Sequence, residues 1–375
     1  MIKENDLLLT RPSWITVNLD AIKQNAQTML KYTGAKRLIG VVKANAYGHG
    51  DLAVSEALYE VGVRDFAVAT IDEGVRLRQS FINKDVRIIL LGVQDVSQVS
   101  VMVSNQLEPA VGTLTWLQEA VSMIPAGENL ALQLAVDTGM GRMGVNSESG
   151  LKRLYEFINA NDKLLLSGVF THFATADDGN QNYYYSQVQK FNKWVQAVGI
   201  PRKFWHLANS GSALWHTSEI DTNTIRVGSV LYGFNPGAPL LSLPMALKPA
   251  LTLKSKIGSV HQLQAGESVS YGATYTAQVP QWVATLPIGY ADGYLRRMTG
   301  MKVLVDGHIE HVIGRVTMDQ IVITLAHQYP VGQEVTLIGR DGDEEITIED
   351  FAHYADTIPH EIVTIFGSRL PRVYE

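Results

Sequence analysis

The sequence predicts an α/β protein, a (β/α)8 barrel followed by a smaller, mainly β C-terminal domain. Three observations carry this. From about Ile15 to Tyr232, short apolar runs alternate with longer amphipathic segments. After about Leu247 that rhythm gives way to alternating strands separated by turn signals. The 375 residues exceed one domain of roughly 150, whereas α/β barrels reach about 250. The barrel is assigned to residues 12–247 and the β domain to 248–375, with residues 1–11 packing against the latter.

The short runs are LIGVV (Leu38 to Val42), DFAVAT (Asp65 to Thr70), VRIILLG (Val86 to Gly92), ALQLAV (Ala131 to Val136), LLLSGVF (Leu164 to Phe170) and FWHLAN (Phe204 to Asn209). Strands apolar on both faces and separated by helices form a parallel sheet, and this many repeats suggests closure into a barrel; an open doubly wound sheet is the alternative. Between them, LDAIKQNAQTML repeats apolar residues at helical spacing, with Asp20 as candidate N-cap. Downstream, KVLVDGHIEHVIG sets Asp306-Gly307 between two alternating runs, a hairpin signal that puts His308 and Glu310 on one solvated face. TIEDFAHYA reads as a helix whose Thr347 and Asp350 have capping-box spacing.

Composition narrows the chemistry. Lys+Arg 31 against Asp+Glu 37 leaves a net charge of −6, without the positive field that phosphate backbones attract, so no nucleic-acid partner is expected. Zero cysteines remove disulfides, thiolate metal sites and thiol nucleophiles together. No apolar run approaches the roughly 18 residues of a membrane span, and the first apolar stretch is broken by Arg11 and Pro12 before it could serve as a secretory core. A cytoplasmic protein without membrane partners is expected.

Barrel active sites lie at the C-terminal ends of the strands. LIGVV is followed by KANAYGHG, which contains Lys43, Asn45, Tyr47 and His49. Lys43 reads either as a strand-end lysine reaching for solvent or as a partly desolvated amine able to form a Schiff base. The next-to-last strand ends in HLANSGSAL, offering Asn209, Ser210 and Ser212, and the last in IRVGSVLYG, offering Gly228 and Ser229. Either stretch alone is ordinary loop composition. Together they occupy the two places where barrels hold a phosphate, and with Lys43 they suit pyridoxal 5′-phosphate. GMGRMG (Gly139 to Gly144) formally matches a dinucleotide fingerprint, but the strand after it ends in Thr171 and His172 instead of an acid. Neither His172, Asp177 and Asp178 nor His308, Glu310 and His311 approaches a closed ligand pattern, so no metal is expected.

Eight segments then match in order. VVKANAYGHG, DTGMGRMG, THFATAD, HLANSGS, IRVGSVLYG, SYGATY, PIGYADGY and GRVTMDQ resemble the signature segments of the alanine racemase family across nearly the whole chain. The resemblance implies a pyridoxal-phosphate enzyme interconverting L- and D-alanine for peptidoglycan, built as a head-to-tail homodimer whose active sites draw on both chains. Lys43 would carry the cofactor and act as one base, and Tyr271 of the partner subunit as the other. Arg142 would meet the substrate carboxylate or the cofactor phenolate, Met318 of the partner subunit would contribute to the substrate pocket, and Tyr290 would line the entrance. Arg226 would face the pyridine nitrogen, Tyr47, Ser210, Gly228 and Ser229 would hold the phosphate, and His172 and Asn209 would complete the cofactor's surroundings.

Chemistry supports such roles. Racemisation needs proton donors on opposite faces of a planar carbanion, so two bases from different parts of the structure are expected. Lysine and tyrosine, near 10.4 and 10, must both be tuned downward, and His172 and Arg226 are expected as the tuning cations. An arginine cannot readily give a full proton to the pyridine nitrogen, which weakens the ring as an electron sink and restrains side reactions.

Four positions depart from the family pattern. Ala135 stands where many members carry a modified lysine that braces the substrate arginine, so a small anion such as chloride, or a neighbouring carboxylate, is expected beside Arg142. His360 replaces a tyrosine that touches the phosphate, RVGS replaces R-P-G-I, and Thr317 replaces a frequent cysteine. Competing functions are a broader racemase, such as one for serine, and a non-enzymatic pyridoxal-phosphate carrier, which resembles the barrel alone.

Overall fold

In the computed structural model, which describes residues 10–220 and 223–375, seven parallel strands form one sheet in the spatial order Leu164–Phe170, Leu130–Ala135, Leu107–Val111, Arg87–Leu90, Asp65–Val68, Arg37–Val41, Thr224–Val227. Two isolated bridges join the sheet's outer strands, Val169 with Trp205 and Ala208 with Ile225, both parallel. The stretch 205–208 is therefore the eighth stave, and the expected barrel is closed. Leu107–Val111 escapes the apolar-run pattern because its sequence LEPAV holds a charge and a proline, yet Glu108 is buried and Leu90 and Pro109 are register partners.

The second sheet has ten strands and is antiparallel apart from one edge pair. It includes the fully buried Ser13–Val17, which runs antiparallel to Leu251–Lys256 and parallel to Arg372–Tyr374. The chain segregates into two compact units. One holds Ile22–Ala46 and Val54–Lys248; the other holds Pro249–Glu375, Tyr47–Ala53 and the described residues up to Ala21. By sequence pattern alone everything from residue 12 belongs to the barrel, because an apolar strand before an amphipathic helix looks the same whichever sheet it joins. Of residues 1–11, those before Thr10 lie outside the described residues, while Arg11 reaches Asp292 with two 2.6 Å hydrogen bonds.

Helix Leu19–Thr33 buries Ile22, Ala26 and Met29 in one stripe. Its first turn is capped by Asn18, whose Oδ1 accepts from Ala21 N–H at 2.7 Å, in place of Asp20, which lies inside the helix. The Asp306-Gly307 hairpin is present, with Val305 opposite His308 and positive φ of 51° and 76° at the two turn residues. Glu310 is not solvated as expected. It is 5% exposed and accepts from Thr324 Oγ1 and Ala326 N–H at 2.6 and 2.5 Å. The helix Ile348–Tyr354 carries the expected capping box. Among the described residues no helix is long and apolar enough to cross a membrane.

Candidate active site

Lys43 follows the buried end of the strand Arg37–Val41 after one further buried residue, Val42. The four residues after it, Ala44 to Tyr47, all have φ between 51° and 55°, a left-handed turn with no glycine in it. Each such residue costs about 1–2 kcal/mol, so the surroundings must over-determine the turn. Ala44 N–H donates to Glu73 Oε1 at 2.6 Å and Ala46 N–H to Val42 O at 2.8 Å. The other oxygen of Glu73 accepts from Ala69 and Thr70 N–H at 2.8 and 3.2 Å, completing the capping box of helix Ile71–Ser80. One carboxylate thus ties the turn after Lys43 to a helix start, a role sequence reading missed.

Burial pushes the Lys43 amine below its ordinary pKa, and the Arg142 and Arg226 guanidiniums push further, against a weaker pull from Glu73. The same forces act on His172, where burial, then Arg226, Arg142 and Lys43, bring the imidazole down to about 3. His172 is therefore neutral near pH 7, not the tuning cation expected from sequence. Four predicted residues, Lys43, Arg142, His172 and Arg226, accordingly share one electrostatic neighbourhood.

Arg226 is 3% exposed. Its Nη1 donates to His206 O at 3.0 Å and sits 3.0 Å from His206 Nδ1. Its Nη2 donates to Thr171 O at 2.9 Å and lies 3.3 Å from His172 Nδ1, with the guanidinium 5.0 Å from the Phe170 ring centre. These partners are neutral, so they orient the cation without cancelling its charge.

Arg142 is exposed in a loop fixed by Asp137, whose Oδ1 accepts from Gly139 and Gly141 N–H at 2.9 and 3.0 Å. Tyr183 Oη donates to Gly139 O at 2.6 Å. Among the described residues no carboxylate pairs with Arg142, so that alternative for its brace is not met. Ser210 opens the helix Ser210–Trp215, and its Oγ accepts from Gly228 N–H at 3.1 Å. Ser210, Gly228 and Ser229 are buried, while Asn209 caps the helix by accepting from Ser212 N–H at 2.9 Å.

On the other unit, Tyr271, Met318 and Tyr290 are 72, 53 and 44% exposed. Backbone hydrogen bonds pair the segments of the last two, from Tyr290 N–H to Thr317 O and from Ala291 N–H to Met318 O, each 3.0 Å. The turn bearing Tyr271 rests on the same stretch, Ser270 Oγ donating to Arg315 O at 2.6 Å. Tyr47 lies beside His360, ring centres 5.9 Å apart.

Residues 17–236 match the model of the alanine racemase N-terminal domain, and residues 250–374 that of the alanine racemase C-terminal domain. The chain belongs to the alanine racemase family. It is 44% identical to an alanine racemase of Ligilactobacillus salivarius over 96% of this chain and 97% of that one. The crystal structure of the alanine racemase from E. faecalis superposes with a TM-score of 0.93 at 38% identity, covering 100% of both chains. A histidine racemase from Leuconostoc mesenteroides subsp. sake reaches the same TM-score of 0.93 at 33% identity, over 98% of each chain. As a member of the alanine racemase family, the chain is a pyridoxal 5′-phosphate-dependent isomerase that interconverts L- and D-alanine. Its donor set fits that group: an amine held toward its neutral form, a buried arginine for the ring, and a hydroxyl beside a backbone N–H at a helix start for the phosphate.

Proposed function

We propose that racemisation here uses Lys43 and Tyr271 as bases on opposite faces of the substrate, Tyr271 being supplied by a second copy of the chain. The environment of Lys43 carries this reading: burial and two guanidiniums favour the neutral amine, the form that can take a proton. The bound cofactor supplies the electron sink that makes the α-proton acidic. Arg142 orients the substrate carboxylate, Arg226 holds the ring nitrogen without donating a full proton, and neutral His172 orients Arg226. Tyr47, Asn209, Ser210, Gly228 and Ser229 hold the phosphate side of the cofactor, with His360 beside Tyr47. The exposure of Tyr271, Met318 and Tyr290, on segments tied together by hydrogen bonds, supports a homodimer in which they complete the partner's pocket. A cytoplasmic setting and a supply of D-alanine to peptidoglycan complete the reading.

Complementation tests the shared site. Lys43→Ala and Tyr271→Phe chains, each racemising at a small fraction of the wild-type rate or less when alone, should recover activity when refolded or expressed together, because one site in each mixed dimer then has both bases. No recovery, with mixed dimers present, would place both bases in the same chain.

A further inference from the structure

A chain of buried polar groups runs through the barrel to Arg226, and its hydrogen-bond polarity can be worked out atom by atom. Glu108 is 6% exposed and accepts from Arg87, Nε to Oε1 at 3.0 Å and Nη2 to Oε2 at 2.8 Å. A carboxylate only accepts, so the Gln133 atom at 2.5 Å from Oε2 is the amide nitrogen. The Gln133 carbonyl therefore points the other way, and it lies 2.8 Å from His206 Nε2. A carbonyl only accepts, so Nε2 carries the ring proton. Burial, then Arg226, Arg87 and Arg37, hold His206 well below its ordinary pKa, which leaves one ring proton and a bare Nδ1. That bare nitrogen is the atom 3.0 Å from Arg226 Nη1, and arginine can only donate. The assignment is consistent from both ends.

The backbone is shaped around this contact. Gly168 is the register partner of Gln133, just past a bulge that skips Ser167. A Cβ on Gly168 would stand 2.0 Å from Gln133 Oε1 and 2.9 Å from His206 Nε2, so only glycine leaves room for the amide and the ring to meet. The skipped Ser167 turns its Oγ and O to Arg87 Nη2 at 2.8 and 3.2 Å. Arg87 Nη1 also lies 3.4 Å from Asp65, and His206 stacks on Phe170 with ring centres 5.2 Å apart.

We propose that Gln133, oriented by Glu108, is a positioning residue for Arg226: it fixes His206 as the Nε2–H tautomer, whose bare Nδ1 holds the guanidinium against the cofactor ring. This rests on the reading that Arg226 faces that ring. Gln133 touches neither substrate nor cofactor and acts through His206 alone.

The test begins on the wild-type holoenzyme. With ¹⁵N-labelled histidine, the His206 resonances, identified by their loss in His206→Gln, should show a protonated Nε2 and a bare Nδ1 that does not titrate across the neutral range. A protonated Nδ1, or a titrating ring, overturns the proposal whatever the enzyme's activity. Two variants then separate positioning from packing. Gln133→Leu should lower kcat about fivefold, the scale of one lost hydrogen bond, with KM within about twofold. Gln133→Glu keeps an acceptor for Nε2–H while it shares a proton with Glu108, so it should restore kcat and lose it again as pH rises, when the two adjacent carboxylates are left without that proton and repel each other out of position. If packing were the whole role, the apolar Leu variant would be the better enzyme, and that result overturns the proposal. Should the Leu variant fail to fold, the tautomer and the Glu variant's pH profile still decide. Absence of racemisation in the wild type would instead refute the functional reading and leave the tautomer measurement standing.

Discussion

Neutral His172 makes the folded state sensitive to acid in a calculable way. Its pKa is about 3 in the folded protein against an ordinary value of 6.5, so between those values the unfolded chain binds the proton and the folded chain does not. Stability is therefore full above about pH 6.5 and is lost as pH falls toward 3. Each pH unit within that window removes about 1.4 kcal/mol, so moving from pH 6.5 to 5 costs up to about 2 kcal/mol through this residue. Buried His206 acts in the same direction, which is why the comparison must be with a variant and not with a calculated total. His172→Asn removes the group and keeps a polar side chain. Urea unfolding of wild type and variant at pH 7 and pH 5, with cofactor at a fixed concentration, should show the variant losing about 2 kcal/mol less between the two conditions. Equal losses would refute the claim that His172 is held neutral beside Arg226.

Two further perturbations follow from the geometry. Gly48, at φ +77°, would place a Cβ 2.0 Å from Val363 O, whereas Gly34, at φ +69°, would meet nothing within 4 Å. Gly34→Ala should thus cost only the left-handed penalty of about 1–2 kcal/mol, while Gly48→Ala should lower the melting temperature much further; equal effects would contradict the steric account. Asp292 is 0% exposed and is held by Arg11 at 2.6 Å and Arg369 at 3.2 Å, and its Oδ2 accepts from Gly289 N–H at 2.8 Å. Asp292→Ala should cost about 2–3 kcal/mol in denaturant unfolding, discounted because both arginines can regain water, and should raise KM by loosening the Tyr290 and Met318 segments; a KM equal to wild type would separate the clamp from the site.

Much of the architecture was legible because the barrel strands are apolar on both faces, and both the Asp306-Gly307 hairpin and the Thr347 capping box state their geometry in two or three residues. What escaped was long-range. In the strand Leu107–Val111 the charge of Glu108 can be buried because Arg87 and Gln133 satisfy it, partners distant in sequence. Ser13–Val17 joins the second sheet because Leu251–Lys256 and Arg372–Tyr374 flank it, which no local pattern announces. In the site, the residue types at Lys43, Arg142 and Arg226 carried their own signal. The charge of His172 did not, since it depends on burial among three cations. Glu73, Gln133 and His206 matter through what they hold in place, and nothing local in HLANSGS marks the part that His206 plays.

Hydrogen exchange at the substrate α-carbon tests the two-base account most directly. In D2O, wild-type enzyme should exchange the α-proton of L- and D-alanine and interconvert them. Tyr271→Phe should still exchange the enantiomer whose α-proton faces Lys43, yet interconvert the two at a small fraction of the wild-type rate. If Tyr271→Phe exchanges and racemises both enantiomers normally, Tyr271 is not a base and the account is wrong.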